Sequence, residues 1–456
     1  MTAADWQEGD NSRMKRYMRD KKRILLSLGV SCVLMFLLMG DGLYSGDGYA
    51  AHGETVEMLP LIPGISYYEY QWGLKNTGMI QRVVSVYETG QNQDTVSLIS
   101  ADSGSRPSDE AGPGTSGAGF QSGQTGPAGV SDKGEEEGRV RHQVTDSVAG
   151  VDIGIEQAWS VYEGTGERRN VTVALIDTGV DMDHEELRHS IWVNEDEVPG
   201  DGIDNDHNGY VDDVNGWNFY TGSSHIFSGE EDSHGTHGAG TIAAAWDGQG
   251  TTGIADSGLV KIMVLKVLGS DDGKGVSANV KDAIRYARDN GAQICNLSMG
   301  TLTYDQEMDQ LIRESPMLFV ISAGNGDAEG KGYDIDALPM YPASCTADNI
   351  ISVGNLLFDG SLDESSNYGA VSVDIAAPGT YILSTVPGGY GFMTGTSMAA
   401  PMVTGTAALI YSCRTDLDLT GVREAILGSA RKMEGLEGKV ATGGMLDAWG
   451  AITWGR

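Results

Sequence analysis

From about residue 150 onward the sequence predicts an α/β fold, a three-layer αβα sandwich around a mainly parallel sheet. Three observations carry this expectation. Short apolar runs recur at strand length, segments of helical period stand between them, and polar residues sit where the runs end. The first run is "VTVALID" (171–177), closed by Asp177, and the second is "LVKIMVLKVL" (259–268). Val280, Ala283, Ile284 and Ala287 then repeat at i, i+3, i+4 and i+7, one face of a helix. "AQICNLSMG" (292–300), "MLFVISAGNG" (317–326) and "DNIISVGNL" (348–356) supply further strands. Parallel sheets collect functional residues at the carboxyl ends of their strands, and Asp177 and Asn325 each occupy such an end.

Composition bounds the partners. The chain has 456 residues and 40% hydrophobic content, enough to bury one large domain with appendages or two to three average ones. A formal net charge of −34 argues against nucleic acid, which needs a basic patch to displace counterions. It leaves carboxylates available for calcium. Cys32, Cys295, Cys345 and Cys413 show neither C-x-x-C pairing nor zinc-ribbon spacing, which argues against a cysteine metal site. Cys32 lies in an apolar run, and the other three are expected to be free thiols, with one disulfide as the alternative. A monomer is expected.

The N-terminal segment reads as an address. "RMKRYMRDKKR" (13–23) carries seven basic side chains and one acid, and "ILLSLGVSCVLMFLLMG" (24–40) is apolar and uncharged. As a helix that run reaches about 25 Å, at the short end for crossing a bilayer. The basic flank would stay inside, giving a cytoplasmic segment (1–23), a single-pass anchor (24–40), a tether (41–66) and an outward-facing remainder. A cleaved signal peptide, hence a secreted protein, is the competing reading, with Gly48-Tyr49-Ala50 as the small-residue site. Residues 101–138 are dominated by Gly, Ser, Pro and acids and are expected to be disordered, as part of an insertion at about 98–140.

"DSHGTHGAGTIAA" (232–244) puts His234 and His237 one helical turn apart. As a zinc pair they lack the glutamate of H-E-x-x-H, because Gly235 stands there. They could equally be core imidazoles, or one could be a catalytic base. "GTSMAAPMVTGTAALI" (395–410) places Ser397 at a helix start, either as an N-cap or as a nucleophile, with Pro401 in the first turn. "DTG" (177–179) is half of an aspartic-protease pair, and no second copy occurs.

Taken together, "VALIDTGVDMDHEEL" (173–187), "DSHGTHGAGTIAA" and "GTSMAAPMVTG" (395–405) resemble the three signature segments of the subtilases, in the chain order Asp, His, Ser. "NLSMG" (296–300), "SAGNG" (322–326), "YPAS" (341–344), "SSNYG" (365–369) and "DIAAPG" (374–379) match as well. The resemblance covers about residues 149–450. "YQWGLKNTG" (70–78) resembles the opening of many subtilase domains, so the catalytic domain is expected over 67–456, interrupted by the insertion. A conventional folded propeptide is expected to be absent or supplied otherwise.

The resemblance implies a subtilisin-type serine endopeptidase acting on proteins or peptides. His234 would be the general base, Asp177 its orienting partner, Ser397 the nucleophile and Asn325 an oxyanion donor. His237 would be structural. Leu297, Ser298, Met299 and Gly300 would pair with an extended substrate, with Ser322, Ala323 and Gly324 on the opposite wall. Met340 would floor a shallow apolar specificity pocket. Met402 departs from the family's usual histidine after "AAP". The alternative is a catalytically silent, calcium-dependent surface-binding module of the same fold.

One further motif stands apart. In "GDGIDNDHNGYVDD" (200–213), Asp204, Asp206 and Asn208 alternate, Gly209 permits a sharp turn, and Tyr210 and Asp212 follow at positions seven and nine of a calcium loop. Asn215 stands where an EF-hand needs glutamate. A solvated acidic turn is the simpler reading. Similar loops in subtilases hold calcium.

Overall fold

The computed structural model describes residues 48–50, 57–60, 66–78, 80–86, 92–98, 141–269 and 274–456. The chain divides into Met1–Asp47 and Gly48–Arg456, and every described residue falls in the second unit. The proposed anchor at 24–40 and the low-complexity stretch at 101–138 lie outside the described residues. Among the described residues, no helix is long and apolar enough to cross a membrane.

The main sheet has nine strands, here β1 (Val171–Asp177), β2 (Gly216–Asn218), β3 (Val260–Lys266), β4 (Ile294–Leu297), β5 (Leu318–Ser322), β6 (Ile350–Leu356), β7 (Ile375–Pro378), β8 (Arg431–Lys432) and β9 (Gly444–Met445). Their order is β8-β9-β7-β6-β5-β4-β1-β3-β2, parallel except for the β8–β9 edge pair. The alternation of β1 shows why two helical layers are needed. Val171, Val173 and Leu175 pack into one apolar cluster, whereas Ala174 and Ile176 pack into another.

Helices α1 (Ile155–Glu163), α2 (Ser233–Ala243), α5 (Thr396–Cys413), α6 (Leu419–Gly428) and α7 (Ala448–Ile452) bury their apolar sides in the first cluster. Helices α3 (Ser277–Asp289) and α4 (Gln306–Glu314) cover the other face. On α3, Val280, Ala283, Ile284 and Ala287 are all buried, as their spacing predicts. Asp305 caps α4, accepting from the amides of Glu307 and Met308 at 2.9 and 3.1 Å. The three-layer α/β class is therefore observed.

Segments before residue 150 contribute more than the sequence suggests. Trp72 is buried in the first cluster and its indole N–H donates to Thr380 O at 2.8 Å, tying the arm to the core. Ile80–Val86, Asn92–Leu98 and Arg141–Asp146, which flank in sequence the insertion expected at about 98–140, form a three-stranded antiparallel sheet that the sequence does not announce. Within the stretch read as a tether, Gly48–Ala50 pairs with Lys274–Val276, and Glu57–Pro60 pairs with Gly389–Met393.

Candidate active site

Asp177 closes β1 and is buried, and His234 is the second residue of α2. His234 Nδ1 lies 2.7 Å from Asp177 Oδ1, an oxygen that also accepts the Thr178 amide at 2.7 Å. The start of α2 is pressed against the turn after β1. A Cβ at Gly235 would stand 2.2 Å from Gly179 O, so only glycine permits this approach. The Gly235 amide donates to Thr178 Oγ1 at 3.1 Å, a second tie between the same two elements.

A buried lysine makes the third tie. Lys266, the last residue of β3, donates to Thr178 O and to Asp232, the residue that precedes α2. Lys266 and Asp232 are both fully enclosed. Burial pushes the Asp232 carboxyl up to about 6, with the Lys266 ammonium pulling the other way. A salt bridge so enclosed costs desolvation, so its value lies mainly in fixing geometry.

His237, one turn after His234, has a different environment. It is wholly buried, with Nε2 2.8 Å from Ile382 O on the strand Ile382–Val386. Burial lowers its pKa to about 4, so it is neutral in the fold. The two histidines face different partners and do not form a metal pair.

Ser397 is the second residue of α5, buried at its N-terminal end, with Oγ 3.4 Å from Ser298 O. Pro401 lies inside the helix, past the first turn that the sequence suggests for it. The displacement has a physical consequence. Proline lacks the N–H that would bind the carbonyl four residues earlier, which is that of Ser397. That carbonyl is taken instead by Ser298 Oγ at 3.1 Å, which joins α5 to the end of β4.

Asn325 follows β5 and meets the residue before Ser397. Its Oδ1 accepts from the Thr396 amide and the Thr396 hydroxyl, both at 2.8 Å. The NH2 end of that amide therefore points away from Thr396. Asp177, His234, Asn325 and Ser397 thus all lie at carboxyl ends of strands or at the helix starts beside them.

The expected substrate walls converge on one residue. Met340 is buried, and Cβ atoms at Gly300 and Gly324 would lie 3.0 Å from its Sδ and 3.4 Å from its Cε. It therefore sits between the segments 297–300 and 322–324. Thr301 and Tyr341 exchange backbone hydrogen bonds at 2.8 and 2.7 Å, fixing Met340 against the first wall.

The acidic loop is organised differently from its sequence pattern. Of Asp204, Asp206, Asn208, Tyr210 and Asp212, only Asp206 belongs to the group of carboxylates that converge, and its companions are Glu197 and Asp213, with acceptor oxygens all within 4.8 Å. Asp204 accepts the amides of Asn208 and Gly209 at 3.1 and 3.0 Å, and Asp212 accepts those of Asp201 and Gly202, both at 3.1 Å. Those two carboxylates shape the loop. Asn208 spans Asp206 and Asp213 through its amide nitrogen at 2.9 Å each. The Tyr210 ring packs on Trp217, Phe219 and Tyr286. Asp213 is fully buried, takes a hydrogen bond from Tyr286 of α3, and has its pKa raised chiefly by burial. Glu197 and Asp213 were missed because they flank the regular repeat. Their signal was only the presence of further acids at each end.

Comparison with known proteins identifies the family. The subtilase family model matches residues 168–445. Thermitase of Thermoactinomyces vulgaris is 31% identical over 303 residues, 65% of this chain and 92% of its own. Subtilisin-like protease 1 of Plasmodium berghei (strain Anka) is 31% identical over 310 residues, 63% of this chain, but the chain spans only 50% of that protein's length. Among solved structures, a protease from Pseudoalteromonas arctica superposes with a TM-score of 0.51 at 24% identity, over 66% of this chain and 93% of that one, a likeness of fold. With a family model over more than half of its length and a relative matched almost end to end, the chain belongs to the subtilase family, the subtilisin-like serine proteases.

Proposed function

We propose that the protein is a serine endopeptidase in which Asp177, His234 and Ser397 form the catalytic triad and Asn325 stabilises the oxyanion. The observation that carries this reading is the 2.7 Å contact between His234 Nδ1 and buried Asp177. A carboxylate there holds the ring proton on Nδ1 and leaves the Nε2 lone pair to take the Ser397 proton. Asp177 stabilises the imidazolium that results. Ser397 Oγ then attacks the substrate carbonyl carbon, and the proton held on Nε2 passes to the leaving amine. Water attacks the acyl-enzyme by the same route and regenerates Ser397.

Negative charge on the tetrahedral oxygen would meet the Asn325 amide N–H and the Ser397 backbone N–H at the positive end of α5. An extended substrate would add as a strand along 297–300. Met340, between the two walls, favours a shallow apolar pocket and disfavours basic side chains at the primary position.

Calcium fits the acidic cluster. Three carboxylates in mutual reach, two of them buried, are hard oxygen donors that repel one another unless a cation joins them. Glu197, Asp206 and Asp213 would hold the ion, which would cross-link the loop and resist local unfolding. The basic and apolar N-terminal segments favour a membrane-tethered protein with residues 67–456 outside the cell. N-terminal sequencing of the mature protein tests this, since a secreted form would have lost residues 1–50.

The decisive experiment for catalysis is labelling of residues 41–456 with a fluorophosphonate probe, beside Ser397→Ala. Labelling of the parent and none of the variant is expected. A folded parent that takes no label would point instead to a silent binding module.

A further inference from the structure

We propose that Asn367 is a positioning residue that fixes the backbone on both sides of Asn325. This rests on the reading of Asn325 as the oxyanion donor. Asn367 lies in "SSNYG", outside every helix and strand, and is fully buried. Its backbone N–H donates to Gly324 O at 2.9 Å and its side-chain NH2 donates to Ala323 O at 3.0 Å. Its Oδ1 accepts the Gly326 amide at 3.1 Å and the Tyr333 amide at 3.2 Å. One side chain and its own backbone N–H therefore bind residues 323, 324 and 326, bracketing Asn325.

The loop needs such a clamp. Gly324 and Gly326 have φ of +97° and +88°, and a chain with glycine on both sides of the donor has little stiffness of its own. A Cβ at Gly324 would lie 2.6 Å from Asn367 Nδ2, so the glycine is also what admits the clamp. Thr396 completes the arrangement from the opposite side. Its hydroxyl accepts the Gly324 amide at 3.1 Å and donates to Asn325 Oδ1. Thr396 thus orients the Asn325 side chain, and Asn367 holds the backbone that carries it. An oxyanion donor acts only when aimed at where charge develops, and a misplacement of about 1 Å costs on the order of 100-fold in rate.

The test compares Asn367→Asp and Asn367→Ala in the parent and in an Asn325→Ala background, with rates normalised to active sites by fluorophosphonate titration. Asn367→Asp is nearly isosteric and keeps both acceptor bonds while losing the donation to Ala323 O, so it remains informative if Asn367→Ala does not fold. In the parent background, kcat should fall about 10- to 100-fold with KM within about twofold. In Asn325→Ala the same substitutions should change kcat by less than about threefold, because the donor they aim is gone. An equal loss in both backgrounds, or no loss of kcat in the parent, overturns the clamp. If Asn325→Ala alone leaves kcat intact, the oxyanion reading itself has failed, and that result is visible without any Asn367 variant.

Discussion

At the carboxyl edge of the sheet, Asp177, His234 and Ser397 come from β1, α2 and α5, anchored by strand pairing or helix packing, and Asn325 comes from the loop after β5 that Thr396 and Asn367 hold. The acidic cluster instead draws Glu197, Asp206 and Asp213 from a single loop between β1 and β2, with no regular structure of its own. The edge is held by the hydrophobic core and by the Lys266–Asp232 pair, so its geometry exists before any ligand arrives. The loop gathers like charges, and hydrogen bonds from the side chains of Asn194, Asn208 and Tyr286 and from the amides of Asn205, Asp206, Asn208 and Asp212 offset part of their repulsion. On the proposed function, the edge is preorganised for chemistry, whereas the loop waits for a cation. Activity should therefore respond to changes at the edge, and the calcium dependence of stability only to changes in the loop.

The largest expected effect is at the edge. Ser397→Ala should lower kcat by about 10⁶, the magnitude found for loss of the nucleophile in subtilisin, while leaving the unfolding midpoint unchanged. A comparable loss of stability would mean that the serine hydroxyl is a structural cap and would break the comparison. Next is Lys266→Met, measured by chemical denaturation in the Ser397→Ala background so that self-digestion does not intervene. Removing the lysine leaves Asp232 buried without its partner, which should cost about 3–5 kcal/mol. A cost below about 1 kcal/mol would show that Asp232 is protonated in the fold and that the pair does little to tie β1, β3 and α2 together.

In the loop the expected effect is a linkage effect. Addition of a calcium chelator to the Ser397→Ala protein should lower its stability by about 3 kcal/mol relative to calcium at a hundred times its dissociation constant. Glu197→Gln combined with Asp206→Asn should abolish that difference. If the double variant still responds to the chelator as the parent does, the ion binds elsewhere and the acidic cluster is only a solvated turn.

Much of the edge was legible in the sequence because its signals are physical as well as familial. Strand and helix periods place Asp177, Asn325 and the α3 face, and the order Asp, His, Ser with its flanking glycines identifies the rest. Three features were not legible. Lys266 reads as the second of two lysines in an apolar run, and only the parallel pairing of β1 with β3 brings it under Thr178. Asn367 depends on a contact between two loops, which no local pattern encodes. In the acidic loop, regular alternation suggested ligands at every second position, but Asp204 and Asp212 satisfy backbone amides and the fold recruits Glu197 and Asp213 from outside the repeat. Local pattern predicts turns well, whereas ligand sets depend on which oxygens the turn leaves facing one another.

The smallest expected effect sharpens the comparison by separating the regions in pH. His237 is held neutral within α2, with its pKa lowered by burial from 6.5 to about 4. The unfolded chain takes up a proton as the pH falls through 6.5, and the fold does not until about 4. The stability it contributes is therefore complete above pH 6.5 and is lost as the pH falls through that window, by about 3 kcal/mol at its lower end. His237→Gln keeps a side-chain N–H that can reach Ile382 O and cannot titrate. In the Ser397→Ala background, with chelator present so that calcium release does not contribute, denaturation at pH 7 and pH 5 should show a smaller decline for His237→Gln than for its parent. Parallel declines would mean that His237 is protonated without penalty. The acid sensitivity of the molecule would then lie elsewhere than in the helix that carries His234.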